Sequence, residues 1–339
     1  MILVVSDNDD KSTNEVIDWL IYYNANFIRI NDADSIKLNA LTLEDKTEII
    51  SFNVFNDNVN LSDISCAWFR RGGLTFDFGT SNISFQKHNL SKDLKEFLFN
   101  QINYENFFLK HFLSFYTFNR PNINHILHPE GNKLINLLVA KSFEIQIPKT
   151  KIISNKLELI DFYDNNKNGV ISKLLSPGIV YKPTKFTFED ALTTLVDREL
   201  IDSIDDTFPP TLFQENLDKE FELRIFYLSG SFYASAIFSQ LDQTTTIDFR
   251  NYNESRPNRV VPFILDKALR NKLDKLMKKL NFSSGSIDIV VTKKKEYVFL
   301  EVNPLGQFAQ VSFPCNYYIE RDIAKKLINY EEKYFNQSK

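Results

Sequence analysis

Asp288, Glu301 and Asn303 are the residues of this chain best suited to hold a hard cation. They lie in "SIDIVV" (286–291) and "FLEVNP" (299–304), two β-branched and aromatic runs joined by a basic turn, which reads as a hairpin. Glu301 and Asn303 are two apart, hence on one face of the returning strand, and Asp288 interrupts the outgoing one, so three oxygen donors can converge. Oxygen donors with only one or two carboxylates suit Mg2+, which keeps positions for water and nucleotide phosphates. The rival reading makes Asp288 and Glu301 solvated positions on a half-exposed strand, with Ile287, Ile289, Leu300 and Val302 as its buried face. Two lysines tilt the choice toward metal. Lys173 ends the otherwise apolar "VISK", where a charge is costly unless it snorkels or meets an anion. Lys133 opens a short helix and, taken alone, is an ordinary first-turn lysine.

The elements that must position these groups can be read from periodicity. "ILVVS" (2–6) is a buried strand, "STNEVIDWLIYY" (12–23) a helix with Ser12 and Glu15 as its capping box, and "FIRIN" (27–31) the next strand. "CAWFRRGG" (66–73) reads as a later strand of the same sheet, which puts Arg70 and Arg71 at a carboxyl end, where open α/β sheets bind ligands. Pairing of both with surface acids is the plain alternative. Residues 91–116 have helical periodicity and close a first module. A helix over about 132–144, an extended segment entered through Pro148, and two strands around a Ser-Pro-Gly turn (169–183) form a second. A third begins at "TLFQENL" (211–217), followed by a hairpin turning at Ser229-Gly230, an amphipathic helix (266–281) and the metal-ligand hairpin. The fold class expected is α/β with α+β modules, divided at 1–118, 119–210 and 211–339.

A length of 339 residues agrees with two or three modules. With 43% apolar and 25% charged residues the composition is that of a soluble globular protein, and a net charge of −4 argues against a general nucleic-acid binder, which needs a basic face. Cys66 and Cys315 make neither a disulfide framework nor a metal knuckle, and fit a reduced cytoplasmic setting. "MILVVSDNDD" lacks a basic leader and a cleavage signature, and no run approaches the roughly 18 apolar residues of a membrane span. The histidines His88, His111, His125 and His128 lack the spacing of zinc ligands.

Taken together, these stretches resemble the ATP-grasp superfamily. "SIDIVV" with "FLEVNP" is similar to its metal-binding strands, "VISK" to its phosphate-binding lysine strand, "FQENL" to its adenine hinge and "FELRIF" to its downstream arginine, in order and spacing over residues 120–320. The resemblance implies an N-terminal Rossmann-like module, a central lysine-bearing module and a C-terminal metal-binding module, with ATP between the last two. "MILVVSDNDDKSTNEVIDWL", "WFRRGG" and "NKLINLLVAKSFEIQIPKT" extend it over essentially the whole chain, to the graspetide synthetases that close microviridin-type rings. Within these it looks most like the grasp-with-spasm maturases, chryseoviridin-type ligases included. Such enzymes phosphorylate Asp or Glu side chains of a ribosomal precursor peptide and join them to Ser or Thr as esters, or to Lys as amides.

On that resemblance Lys133 and Lys173 hold the α- and β-phosphates, and Arg224 and Arg250 face the migrating phosphate with Asn253 assisting. Gln214, Glu215, Asn216 and Leu217 form the adenine hinge, and Asp218 or Glu220 takes the ribose hydroxyls. Asp288, Glu301 and Asn303 bind Mg2+. Cationic and metal stabilisation of this kind is what the chemistry demands, because carboxylate and hydroxyl do not condense unaided in water. Arg70 and Arg71 are candidate substrate-binding residues, as are Glu189 and Asp190 in the long mixed segment 176–195, where a leader peptide could dock. The expected partner is the precursor peptide, with neither nucleic acid nor membrane; oligomeric state stays open, a homodimer being one expectation. An ester is the expected bond because no acidic cluster is set aside for an amine substrate; a carboxylate–amine ligase forming amides is the alternative. A carrier without turnover fits less well with so complete a set.

Overall fold

The computed structural model describes residues 1–45, 47–54, 57–76, 90–118, 120–124, 131–175, 193–240 and 258–337. The chain divides into two compact units, Met1–His128 with Tyr318–Lys339, and Pro129–Tyr317.

In the first unit every residue of β1 (Ile2–Ser6) is buried. A strand so apolar needs cover on both faces, the condition of a parallel sheet. It lies between β2 (Phe27–Asn31) and β6 (Cys66–Phe69), with β8 (Asn122–Ile123) outermost, all parallel, as the strand–helix–strand reading requires. Helix α1 (Lys11–Tyr22) buries Val16 and Leu20. Its cap differs from the expected Ser12–Glu15 box. The cap is Asp10, two residues earlier, whose carboxylate accepts the Ser12 N–H at 3.0 Å, while the Thr13 and Ser6 hydroxyls bond at 2.8 Å. A second sheet, absent from the sequence reading, runs β5 (Asp57–Asn60), β4 (Thr47–Val54), β3 (Ser35–Glu44), β7 (Thr75–Phe76). Helix α2 (Lys92–Phe118) follows, and the last helix, α8 (Ile319–Gln337), returns to this unit with Ile319, Ile323, Ala324 and Leu327 buried. Cys66 is buried, donates to the Leu327 carbonyl at 3.4 Å, and has its thiol pushed up to about 12 by burial, so it is no nucleophile at neutral pH. Among the described residues no helix is long and apolar enough to cross a membrane.

The second unit holds two sheets. One runs β11 (Thr194–Val196), β10 (Val170–Lys173), β12 (Thr207–Glu215), β9 (Thr150–Asn155), all antiparallel, with α4 (Lys156–Asp164) and α5 (Arg198–Ser203) in its connections. The Ser-Pro-Gly turn and the strand expected after it, to residue 183, lie outside the described residues; the strand that pairs with β10 on that side is β11. The Pro209-Pro210 pair of β12 falls where its register with β9 shifts, the place a strand tolerates residues without N–H groups. The other sheet runs β15 (Arg259–Phe263), β14 (Ser231–Phe238), β13 (Lys219–Leu228), β16 (Ser284–Thr292), β17 (Tyr297–Asn303). Ser229 and Gly230 take φ of 46° and 96°, which gives the β13–β14 hairpin a turn whose twist matches its strands. Helix α6 (Lys267–Lys279) starts at Asp266, whose carboxylate accepts the Leu269 N–H, and buries Leu269, Leu273, Leu276 and Met277. These pack with Leu223, Ile225, Ile287, Ile289, Phe299 and Val302 of the sheet and Leu137 and Ala140 of α3 (Lys133–Ser142). Helix α7 (Ala309–Cys315) follows β17.

The proline and glycine after the candidate ligands shape a tight turn. The Gly306 N–H donates to the Asn303 carbonyl at 3.0 Å, and a Cβ on Gly306 would stand 2.3 Å from Ser286 Cβ and 2.7 Å from its backbone nitrogen. Gly306→Ala is therefore expected to cost about 1–3 kcal/mol of stability, read from urea unfolding, because backbone rather than a flexible side chain must move.

Candidate active site

The candidate groups of the second unit are arranged by strand register. Arg224 on β13 pairs with Asp288 on β16, and Asp288 with Glu301 on β17, so three charged side chains form a row across adjacent strands. Their chain neighbours Leu223, Ile225, Ile287, Ile289 and Val302 enter the core, so the row must point the other way. β17 gains one extra residue at this point. Asp288 faces Glu301, but Ile289 faces Phe299, which leaves Leu300 unmatched. This bulge lets Phe299 join Val302 in the core while Glu301 and Asn303 share the opposite face. The rival reading puts Leu300 on the buried face; the bulge gives that place to Phe299, and Leu300 is half-buried.

Arg224 Nη1 donates to both oxygens of Asp288, at 3.2 and 3.0 Å, with each side chain 15% exposed or less. Lys133 Nζ lies 3.6 Å from Glu301 Oε2 and donates to the Leu174 carbonyl at 2.8 Å. That second bond brings Lys133 to the residue after Lys173, which ends β10 opposite Leu212. Lys133 thus joins the carboxylate-bearing strand to the end of the segment that carries Lys173.

Lys133 is held there by residues the sequence reading did not single out. Asn132 caps α3, its side-chain oxygen accepting from Leu134 and Ile135 at 3.0 and 3.3 Å. Asn136 donates to the Val302 carbonyl at 3.1 Å, and a Cβ on Gly131 would lie 2.7 Å from that same oxygen. The helix start is therefore pressed against β17. "GNKLIN" carried a visible cap signal, a small residue and an Asn before an apolar run, but nothing local names β17 as its neighbour. A buried pair was also missed: Lys219 Nζ meets Glu222 Oε1 at 2.5 Å, and Ser239 donates to the same oxygen at 3.2 Å. The register shift between Lys219 and Phe221 brings the two side chains together.

At the hinge, the Glu215 carboxylate accepts the Lys149 N–H at 2.8 Å, and Glu215 N–H donates back to the Lys149 carbonyl at 3.0 Å. Asn216 N–H donates to the Gly169 carbonyl at 2.9 Å, Gln214 is buried with its amide donating to Thr150 at 3.0 Å, and Leu217 is half-buried in the turn that follows. Asp218 pairs with Lys293 at 2.7 Å and Glu220 with Lys295 at 2.6 Å, so both candidate ribose acids face the basic turn of the β16–β17 hairpin. Arg250, Asn253, Glu189 and Asp190 lie outside the described residues.

Arg70 and Arg71 belong to the first unit, at the carboxyl end of β6 as expected. Arg70 is buried with Nε 3.1 Å from Asp10 Oδ2, and burial lowers its pKa to about 10; Arg71 is 37% exposed and 3.8 Å from the same oxygen. Gly72, at φ 64°, comes so close to Ser6 and Asp7 that a Cβ there would lie 2.6 Å from Asp7 Oδ1. Burial and the nearby Asp32 raise the Asp7 pKa.

No family model and no curated protein matches this chain. Solved structures do. Macrocyclase MdnC from Microcystis aeruginosa MRC, bound with precursor peptide MdnA, superposes with a TM-score of 0.76 at 22% identity over 97% of this chain and 100% of its own. A RiPP-associated ATP-grasp ligase of Chryseobacterium gregarium, in complex with ADP and a leader and core peptide, gives 0.78 at 21% over 99% and 96%. The chain has the ATP-grasp fold. The ATP-grasp ligase PsnB, complexed with a minimal precursor, Mg and ADP, is similar at a TM-score of 0.70 and 14% identity over 97% of each chain.

Within this ATP-grasp fold, Asp288 and Glu301 are opposed carboxylates and the Asn303 amide oxygen lies two residues on, a donor set suited to Mg2+. Asn303 Oδ1 accepts the Leu305 N–H at 3.0 Å, which leaves that oxygen a second lone pair. Among the described residues no three His, Cys, Asp or Glu side chains cluster as a metal site, so such a cation would take two carboxylates and an amide rather than a carboxylate cage. Asp288→Ala removes the carboxylate to which Arg224 donates twice in a largely buried place, and is expected to cost about 3 kcal/mol in chemical denaturation. Arg224→Met combined with Asp288→Leu should cost much less than the two single changes added together.

Proposed function

We propose that the chain is an ATP-dependent macrocyclase of a ribosomally made precursor peptide, which activates Asp or Glu side chains as acyl phosphates and joins them to Thr or Ser hydroxyls as ω-esters. The observation that carries this reading is the charged row Arg224–Asp288–Glu301 with Lys133 drawn onto its end, in the fold shared with peptide-bound macrocyclases. On this reading the unit Pro129–Tyr317 contains the central lysine-bearing module and the C-terminal metal-binding sheet, and the parallel sheet of the first unit is the Rossmann-like module.

Asp288, Glu301 and Asn303 would hold Mg2+, which when bound offsets phosphate charge. Lys133 and Lys173 hold the α- and β-phosphates, each as a charge-assisted donor. Lys133 needs only to exchange its 3.6 Å approach to Glu301 for a phosphate oxygen. Arg224, anchored on Asp288, keeps its guanidinium in place as the γ-phosphoryl group moves to a peptide carboxylate and ADP departs; Arg250 and Asn253 assist from the 241–257 segment. The peptide hydroxyl then attacks the acyl carbon, its proton is lost, and inorganic phosphate leaves, so each ring consumes one ATP and removes one water. Positioning of hydroxyl and acyl phosphate supplies much of that second step. Gln214, Glu215, Asn216 and Leu217 receive adenine, and Asp218 or Glu220 exchanges its lysine for the ribose hydroxyls. Arg70 and Arg71, with Glu189 and Asp190, are the proposed peptide contacts.

Glu301→Gln preserves shape and removes a charge; with the fold retained, modification of a co-expressed precursor should fall at least about 100-fold, since a lost electrostatic contact at a reacting phosphate is worth that much. Near-normal turnover in saturating Mg2+ overturns the metal assignment. Lys173→Met should weaken ATP binding and turnover together, and unchanged values make Lys173 structural. The product should lose one water per ring by mass spectrometry and reopen in mild alkali or hydroxylamine. Rings that survive alkali, and vanish when precursor lysines are replaced, identify an amide ligase instead.

A further inference from the structure

The sheet face that carries Arg224, Asp288 and Glu301 continues past them. The next positions on it, about 7 Å farther from the hinge, are Phe226, Ser286 and Asn303, again in register across three strands. Residues 305–308 fold over this second row. The Phe308 and Phe226 rings lie 5.4 Å apart, and Ser286 Oγ donates to the Gln307 carbonyl at 3.2 Å. Phe226, Ser286 and Phe308 are buried, so the polar side chains that this part of the face offers to a ligand are Asn303 and Gln307, both exposed. Asn303 belongs to the Mg2+ donor set. Among the described residues the Gln307 amide has no hydrogen-bond partner, and from Asn303 to Tyr317 the chain carries no Asp, Glu, Lys or Arg.

An exposed glutamine is ordinary on a surface; the place of this one is not. On the proposed macrocyclase function, on which this inference rests, adenine lies at the hinge and the phosphates over the first row. Attacking and leaving oxygens of a phosphoryl transfer lie roughly in line, so the peptide carboxylate, and after it the nucleophile, approach from the side away from the hinge, over the second row. We infer that Gln307 binds the peptide's nucleophile there and selects a hydroxyl over an ammonium. A hydroxyl donates and accepts, as a primary amide does, whereas an ammonium only donates and its charge calls for a carboxylate. The step balances without one. The hydroxyl oxygen bonds to the acyl carbon, the carbon–oxygen bond to phosphate breaks, and the hydroxyl proton leaves with the phosphate as hydrogen phosphate. An ammonium must shed a proton before it attacks, beside the Arg224 guanidinium and along a stretch of chain with no carboxylate to receive it. The backbone of Gln307 is fixed by the Ser286 bond on one side and the Asn303–Gly306 turn on the other, so its amide starts from a rigid base.

The test gives the full chain, with ATP and Mg2+, an equal mixture of its precursor peptide and a version whose acceptor threonines are lysines, and counts rings on each by mass spectrometry. The wild-type chain should close the threonine peptide in preference. Gln307→Leu, which loses the hydrogen bonds to the nucleophile, should lower the threonine-to-lysine ratio about 10-fold. Gln307→Glu, which also supplies the carboxylate an ammonium needs, should lower it further, with the new rings stable to alkali. Damage to the fold slows both peptides alike and leaves the ratio where it was. A ratio unchanged in both variants overturns the assignment, and so does loss of all precursor-dependent ADP from both, which would place Gln307 in the first step instead. A wild-type chain that forms no precursor-dependent ADP overturns the macrocyclase reading itself, and the role of Gln307 with it.

Discussion

The second unit is organised around a negative charge held in the middle of a sheet. Asp288 lies on β16 with a strand on either side, and a carboxylate so placed needs compensation close by. Arg224 on one neighbouring strand provides it through two hydrogen bonds, and the opposite neighbour carries Glu301, facing Lys133. Everything else about the site follows from keeping these four charges in line. The apolar face of the same strands packs on α6 and α3, so the row cannot turn inward without emptying the core.

The bulge at Leu300 reconciles two demands on one strand. An unbroken alternation would put Phe299, Glu301 and Asn303 on the same face, burying the carboxylate or exposing the phenyl ring. The additional residue shifts the phase once, after Phe299, so the aromatic ring remains in the core and both polar groups leave it. The same device recurs at the start of β13, where the shift between Lys219 and Phe221 lets Lys219 and Glu222 pair although three residues apart. The tight Asn303–Gly306 turn then ends the strand, with the Asn303 side chain accepting from Leu305 and the glycine pressed on Ser286. These are local departures from ideal sheet geometry concentrated where charged groups must be aimed.

Much of this was legible in the sequence because it depends on residues near one another. Apolar periodicity marked β1, α1, β2 and α6; Ser229-Gly230 marked a hairpin through its φ requirements; and the spacing of Glu301 and Asn303 assigned them one face. The type and order of the charged residues also carried the resemblance to ATP-grasp ligases, whose fold the chain has. The strands of residues 35–60 gave a weaker signal, for their faces are mixed and, among the described residues, the apolar side chains buried there are Ile36, Ile50, Phe52, Val54 and Val59.

Tertiary structure alone decided what depends on register between distant strands. That Arg224 faces Asp288, 64 residues away, follows from pairing β13 with β16, and the pairing is set by how two apolar faces fill one core. That Lys133 reaches Glu301 depends on Gly131 and Asn136 fitting the backbone of β17, a complementarity no short window of sequence contains. The return of α8 to the unit that begins the chain is of the same kind: its amphipathic pattern demands a partner without naming one. Periodicity states which side of an element must leave water; only the assembled core states what it meets there.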